Sequence, residues 1–447
     1  MVSASSSPRA HWGSKLGFVL AAAGSAIGLG NIWRFPYVTN ENGGGIFVLL
    51  YLLAIVLLGL PVMLAELTIG RHTQKNPVGA FGAIAPGWKF VGYIGVFTGV
   101  AILSYYGVVA GWTVGYVIKS ATGNLDPDGF DAFIGNPVLQ LGYLVAFVLA
   151  TMAVVAFGVK KGIERMAQIL MPLLLLLMFG LVIRALTLPT AASGLRFYLY
   201  PNFDAISPRT VVYAIGQAFF SLSLGMGAMI TYGSYINPKD NLASSAVAVV
   251  SFDTLIALLA GFLIFPVIGH GLDKGGPTLV FVTMIEQFNA MAGGRWVALL
   301  FFVLLAIAAL TSTVSLLEVA TAYLVDEHGI RRRKAVLLIG ATTLILGVPS
   351  ALSLGAVAGL SDIIGGMGFL DIMDFLFGNV SLTLGALLTC IFLVYRWGIG
   401  NAAAEIATTY PAFSRYVSAW KFMLGFMAPL AIGTILVYIL ITGEGVG

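Results

Sequence analysis

The chain alternates between long apolar runs and short polar connectors rich in Gly and Pro. A helix needs about 20 apolar residues to cross the hydrocarbon core of a bilayer. Eleven runs approach or exceed that length: roughly 15–37, 43–70, 90–119, 138–157, 164–187, 209–236, 243–270, 296–325, 334–350, 370–396 and 418–442. The expected architecture is an all-α integral membrane protein of eleven transmembrane helices. The connector 120–137 is polar, with Asp126, Pro127, Asp128 and Gly129. The connector 271–295 contains an apolar stretch, Leu279 to Ala290, too short to span. It is expected to lie as an external helix over the bundle, and 351–369 as another capping piece.

Two runs are interrupted at their middle. The first carries Gly24, Ser25, Gly28, Gly30 and Asn31 before Trp33-Arg34-Phe35-Pro36, and the sixth carries Ser221, Ser223, Gly225 and Gly227. Glycine weakens a helix because it retains too much backbone freedom. Unwound peptide groups at mid-membrane cannot be satisfied by lipid, so such a break persists where it lines a cavity or binds something. A pair of breaks in corresponding halves points to a transporter substrate site. The breaks fall in spans one and six, and an odd number of spans per half inverts the second copy. The expected organisation is a 5+5 inverted repeat, 10–187 and 208–397, with 417–443 as an additional span. It rests on the position of the breaks, because direct identity between the halves is weak.

Composition strengthens the membrane assignment. Of 447 residues, 59% are hydrophobic and 9% charged, and the mean hydropathy is +0.97. Soluble domains carry roughly 25% charged residues. Lys and Arg set the orientation. With a cytoplasmic N-terminus, 16 of the 23 basic residues fall on the inner side. The expected location is the plasma (inner) membrane, with the C-terminus outside after eleven spans. Arg9, His11 and Lys15 precede a span with no cleavage site, so no cleavable leader is expected. A pI near 9.0 suits loops facing anionic lipid rather than a nucleic-acid partner. Cys390 is the single cysteine and supports no disulfide framework. The four histidines, His11, His72, His270 and His328, lie at span ends or in loops. No metal cluster or nucleophile elbow accompanies them, which argues against an enzyme and against an organic cofactor.

At this point the residues carry a resemblance. Gly24-Ser25-Ala26-Ile27-Gly28-Leu29-Gly30-Asn31-Ile32-Trp33-Arg34-Phe35-Pro36, followed by Asn42-Gly43-Gly44-Gly45, resembles the first-span signature of the neurotransmitter:sodium symporters. Pro61 to Arg71, Tyr105-Tyr106, Lys161 to Arg165, Gly216 to Gly227, Leu310 to Thr313 and Asp371 to Phe375 match in order along nearly the whole chain. Many members have twelve spans, and this chain stops after eleven, as some bacterial members do.

The resemblance implies a sodium-driven symporter with alternating access, and it implies site residues. Half-helix ends at the first break offer backbone N–H groups to a carboxylate. Gly28 stands where monoamine-carrying members place an aspartate, so an amino-acid carboxylate is expected beside Gly28 and Gly30, with Tyr106 donating its hydroxyl. Carbonyls near Ala26, Phe220 and Ser221, with the Ser223 hydroxyl, would hold the amine. Ser25, Ile102, Phe220, Ser223, Met226, Ser312 and Leu316 would form the side-chain subsite. It has no charged member and favours apolar or aromatic side chains. Two sodium ions are implied, one at Ala26, Asn31, Ser221 and Asp253, the other at Gly24, Ile27, Ala308, Thr311 and Ser312. The first would share the substrate carboxylate and so couple ion to substrate.

Asp253 stands where many members have asparagine, and Ala257 where chloride-dependent members have serine. A mid-membrane carboxylate is a functional feature by default. The expectation is chloride-independent transport, with proton counter-movement if Asp253 titrates. Arg34 and Asp374 resemble an outer gate pair, and Arg9 and Asp326 an inner one, with Trp12 as a plug and Tyr235 in support. Glu66 is expected to accept from the unwound N–H groups of spans one and six. Glu318 has no assigned role, and Arg331 to Lys334 reads as a positive inner loop needing no ligand. A channel is the main competitor, and the two breaks and two gate pairs weigh against it.

Overall fold

The computed structural model describes residues 10–269 and 276–445. The described residues are helical, with β-structure confined to two isolated bridges, Gly44 to Pro201 and Ile364 to Met367. The main helices in chain order are α1 (Lys15–Ala26), α2 (Gly30–Glu41), α3 (Gly45–Thr73), α4 (Pro77–Ile84), α5 (Pro86–Thr122), α6 (Pro137–Ala156) and α7 (Val159–Leu186). There follow α8 (Ala191–Leu199), α9 (Pro208–Ser221), α10 (Ala228–Gly233), α11 (Leu242–Ile268), α12 (Leu279–Ala290) and α13 (Gly294–His328). The last three are α14 (Arg332–Leu352), α15 (Phe369–Ala407) and α16 (Pro411–Thr442).

Among the described residues, nine helices are each long and apolar enough to cross a bilayer, and α1 with α2 forms one more span bent by 55°. The half-helices α9 and α10 supply the other broken span. The eleven expected spans are thus present, and both interruptions fall where the glycines predict. Most span ends fall within about five residues of expectation, and two differ more. Span ten runs to Ala407 rather than 396, and span eleven starts at Pro411 rather than 418. Beyond Gly398, whose φ is +94°, residues 399–407 turn onto the end of α3. There Arg71 Nε donates to Glu405 Oε1 at 2.7 Å, and Arg71 also donates to the Glu405 carbonyl. A short amphipathic helix, with Ala402, Ala403 and Ile406 buried, therefore follows the Gly398 turn beyond the apolar stretch that hydropathy detects.

The interruptions have local causes. Ser14 caps α1 by accepting from the Gly17 N–H. At Ile27 the backbone turns extended, with ψ 101°. Ser207 caps α9 by accepting from the Thr210 N–H, and Pro208 follows at its first turn, where a missing N–H costs nothing. Past Ser221 the backbone is left-handed at Ser223 (φ +53°), Gly225 (+87°) and Gly227 (+76°). Left-handed geometry favours glycine. Proximity adds a second demand, since a Cβ on Gly225 would lie 2.1 Å from the Leu382 carbonyl oxygen.

α1 sits at the centre, buried from Gly17 to Ala26, and packs against α7, α11 and α13. α5 and α13 lie side by side as the main scaffold. α16 lies at the rim, with Leu430, Val437 and Ile441 exposed, as a lipid-facing surface requires. α12 does not span. Leu279, Val280, Phe281, Met284, Ile285 and Phe288 are buried against α11 and α13. Phe281 stacks on Phe130 at 5.4 Å and meets Trp33 edge-on at 6.0 Å. The expected external helix is therefore a cap over one end of the bundle.

Candidate functional site

The two breaks face each other around a small internal cavity. It is lined by Ser25, Ala26, Gly28, Gly30, Asn31, Ile102, Tyr106, Phe220, Ser221, Ser223, Met226, Ser312, Ser315, Leu316 and Leu382. Each residue expected to contact substrate lies in this lining. Ser315 and Leu382 were missed. Ser315 accepts from the Ser25 hydroxyl at 2.7 Å, and Leu382 belongs to α15, whose backbone supports Gly225. The cavity is tight: a water-sized sphere has about 40 Å³ for its centre.

Backbone and hydroxyl groups shape this space. The Leu29 N–H donates to the Tyr106 oxygen at 3.0 Å, which leaves the Tyr106 proton free to donate elsewhere. Ser223 and Ser312 hydroxyls both donate to the Ser25 carbonyl at 3.1 Å, and Ser312 also reaches the Ile27 carbonyl at 3.2 Å. A Cβ on Gly28 would lie 2.7 Å from Ser312 Oγ and 2.9 Å from the Tyr106 oxygen. A side chain at residue 28 would have to push the Ser312 or Tyr106 hydroxyl aside. A Cβ on Gly30 would meet the Phe220 ring at 2.7 Å.

Polar oxygens converge on two sides of the cavity. On one, Asn31 Nδ2 donates to Ser221 Oγ at 2.9 Å and to Asp253 Oδ1 at 2.8 Å, and Ser221 Oγ donates to Asp253 Oδ2 at 2.7 Å. The Gly28 N–H donates to Asn31 Oδ1 at 3.2 Å, which ties this cluster to the break. Asp253 is fully buried, and Tyr51 donates to Ser221 at 3.4 Å from the far side. On the other side, Thr311 Oγ1 donates to the Ala308 carbonyl at 3.0 Å and the Ile27 carbonyl at 3.5 Å. Gly24 abuts this group, since its Cβ would stand 3.2 Å from Thr311 Cβ. Both clusters offer hard oxygen donors, the type a small monovalent cation takes as cargo. Among the described residues, no group of three or more His, Cys, Asp or Glu gathers as a metal site.

A second, larger cavity of about 240 Å³ lies above the first, lined by Trp33, Arg34, Tyr37, Tyr105, Trp112, Leu370, Asp371 and Asp374 among others. Gly30, Tyr106 and Phe220 line both cavities and so form the partition between them. Arg34 and Asp374, the pair expected to resemble an outer gate, both face this vestibule and form no direct ion pair across it. Arg34 instead lies over the Phe220 ring at 4.7 Å, and Asn379 Nδ2 donates to Asp374 at the carbonyl (3.2 Å) and Oδ2 (3.4 Å).

The opposite end is closed by aromatic packing. Trp12 Nε1 donates to the Tyr232 carbonyl at 3.0 Å, the Trp12 N–H donates to the Tyr235 carbonyl at 3.0 Å, and its ring packs edge-on to both tyrosines. Arg9 lies outside the described residues. Asp326 accepts from the Asn76 N–H at 3.0 Å. Tyr235 donates to Glu318 Oε1 at 2.7 Å. Glu318 gains a role here, and the expectation for Arg332 is corrected. Arg332 Nη1 donates to Glu318 Oε1 at 3.1 Å, and Nη2 donates to Oε2. One residue of the basic loop is therefore the counter-charge of a fully buried carboxylate. Glu66 accepts from the Gly225 N–H at 2.7 Å, so it serves the sixth-span break; no bond to the first-span break joins it among the described residues.

Comparison with known proteins places this geometry. The profile described as "Sodium:neurotransmitter symporter family" matches residues 9–129 and 132–445. A sodium-dependent transporter of Bacillus subtilis, YhdH, is 39% identical over 94% of this chain and 96% of its own. A sodium-dependent transporter of Methanocaldococcus jannaschii, MJ1319, is 33% identical over 94% and 88%. The crystal structure of MhsT in complex with L-phenylalanine is 46% identical, covers 96% of this chain and 99% of its own, and superposes with a TM-score of 0.88. Eleven helical spans, two of them interrupted around a shared cavity, thus coincide with full-length similarity in sequence and fold, and the chain belongs to the sodium:neurotransmitter symporter family.

Proposed function

We propose that this protein imports hydrophobic and aromatic L-amino acids by sodium-coupled alternating access, without a requirement for chloride. The observation that carries this reading is the crowding at Gly28. Residue 28 has no side chain, so this position supplies no carboxylate for an amine, and a Cβ there would press on the Ser312 and Tyr106 hydroxyls. The Tyr106 hydroxyl and the half-helix N–H groups remain for a substrate carboxylate. The lining of the inner cavity contains no charged side chain, which favours an apolar substrate group. The solved relative MhsT binds L-phenylalanine in its crystal, which agrees in substrate class.

The remaining assignments follow from the same reading. Sodium enters beside Asn31, Ser221, Asp253 and the Ala26 carbonyl, sharing the substrate carboxylate. A second ion takes the carbonyls of Gly24, Ile27 and Ala308 with Thr311 and Ser312. Asn31 Nδ2 now carries partial positive charge into the first cluster, and a cation there would require the amide to turn its oxygen inward. Asp253 supplies the negative charge that chloride supplies elsewhere. Arg34 and Asp374 act as the gate of the vestibule, which faces outward, and Trp12, Tyr235, Asp326 and Arg9 close the cytoplasmic side. Residues 10–187 and 208–397 are the two inverted repeats, followed by 417–443.

Thermal-shift measurements with each of the twenty amino acids, in sodium and in potassium, test the reading. Ligand linkage stabilises only the state that binds. Sodium-dependent stabilisation by phenylalanine, leucine or similar residues is expected. Stabilisation by monoamines instead overturns it, as does indifference to sodium.

A further inference from the structure

We propose that the segment following α16 is a strap that holds the vestibule open, with Glu444 as its positioning residue. This rests on the gate reading of Arg34 and Asp374 above. Gly443 ends α16 in left-handed geometry (φ +70°), which turns the chain back over the bundle. Glu444 Oε2 then accepts from two hydroxyls on different helices, Tyr438 of α16 at 3.0 Å and Tyr213 of α9 at 3.3 Å. Arg209 lies 5.0 Å from the Tyr213 ring centre and keeps a positive charge beside this carboxylate. The next residue reaches α15, where a Cβ on Gly445 would lie 2.8 Å from Asn379 Nδ2. Asn379 is the residue that donates to Asp374.

Two consecutive residues therefore gather α9, α15 and α16 at the vestibule end, and the last contact leads to the gate carboxylate. α9 is a half-helix, cut from α10 by residues 222–227, so it can tilt without carrying α10. One carboxylate oxygen serves both tyrosines only while Tyr213 stays beside Tyr438. A contact present in one arrangement and lost in another biases the population toward the first. In the arrangement the strap holds, Asp374 is engaged by Asn379 and stands apart from Arg34.

The test uses the single cysteine to advantage. Cys390 is buried; Cys390→Ala removes it, and Tyr37→Cys places a reporter in the vestibule lining. The full-length protein in nanodiscs is labelled with a maleimide in sodium without amino acid. Glu444→Ala, and separately truncation after Thr442, are expected to slow labelling by about threefold or more, whereas Glu444→Gln, which keeps an acceptor oxygen, stays within about twofold. Unchanged labelling in both the alanine variant and the truncation overturns the strap. Asp374→Ala, labelled in sodium with saturating L-phenylalanine so that the gate is closed in the parent, separates the two readings. If it raises labelling while the Glu444 variants change nothing, the strap alone fails. If it too is without effect, the gate reading fails and the strap with it.

Discussion

Gly28 and Tyr106 stand so close that a Cβ added to the glycine would lie 2.9 Å from the tyrosine hydroxyl oxygen. This pair fixes the floor on which a substrate carboxylate would rest. Ser312 Oγ, at 2.7 Å from the same point, blocks the other direction. Gly28→Ala must therefore displace a hydroxyl that the site uses. Overpacking of this kind costs about 1–3 kcal/mol, which, if it falls on the bound state, corresponds to roughly 5- to 150-fold weaker binding of L-phenylalanine. Sodium-dependent equilibrium binding measures it. Ser312→Gly in the same chain removes the nearer obstacle and should recover part of the loss. Unaltered affinity in Gly28→Ala would remove the carboxylate assignment.

Glu318 and Arg332 form a charge pair whose carboxylate is fully buried. Removing one partner leaves the other charge uncompensated, at a cost of about 3–5 kcal/mol. Glu318 also accepts from Tyr235, so the loss loosens the end closed by Trp12. Arg332→Ala is expected to lower the unfolding temperature markedly. Arg332→Lys should rescue little, because a lysine cannot reproduce the two-pronged contact. Replacing both residues with apolar ones of similar volume should recover most of the stability. Circular dichroism melts of the four proteins in detergent decide it.

Glu66 and Gly225 give a third prediction. The carboxylate accepts the N–H of a residue whose left-handed backbone leaves it no helical partner. Glu66→Ala leaves that donor buried and unsatisfied, which costs about 1–3 kcal/mol. Glu66→Gln retains an acceptor oxygen and should fold nearly normally. The distinguishing measurement is amide exchange at Gly225 to Ala228, which should accelerate in the alanine variant and stay slow in the glutamine one.

Much of this molecule was legible in the chain because backbone physics is local. The breaks in spans one and six could be read from Gly24, Gly28, Gly225 and Gly227, since a glycine at mid-membrane weakens its helix wherever the rest of the fold lies. Facing is another matter. α13 is apolar on nearly all sides, so nothing in its periodicity marks Ser315 as lining the cavity or points Glu318 toward Arg332. Leu382 is one leucine among many in α15, and its place beside the cavity follows from the backbone contact between Gly225 and α15. The separation of Arg34 from Asp374 was also illegible, because one sequence serves every stage of a transport cycle and the gate differs between stages.

Asp253 carries the prediction that separates this chain from chloride-dependent relatives. Its two oxygens accept from Asn31 and Ser221, and Ala257, one turn along α11, offers no hydroxyl to an anion. If Asp253 provides the fixed negative charge of the site, Asp253→Asn keeps the side-chain shape, removes the charge and turns one acceptor into a donor that the Ser221 hydroxyl can accept. Sodium-driven uptake of L-phenylalanine into proteoliposomes should then fall by about tenfold or more in chloride-free medium, a loss of at least ~1.4 kcal/mol of coupling. Added chloride should restore part of it, and Asp253→Asn combined with Ala257→Ser should restore more, because the serine hydroxyl can hold the anion. The parent protein should transport equally with gluconate or chloride. Strict chloride dependence of the parent would assign the charge elsewhere. A variant that transports normally without chloride would show that the buried carboxylate serves packing alone.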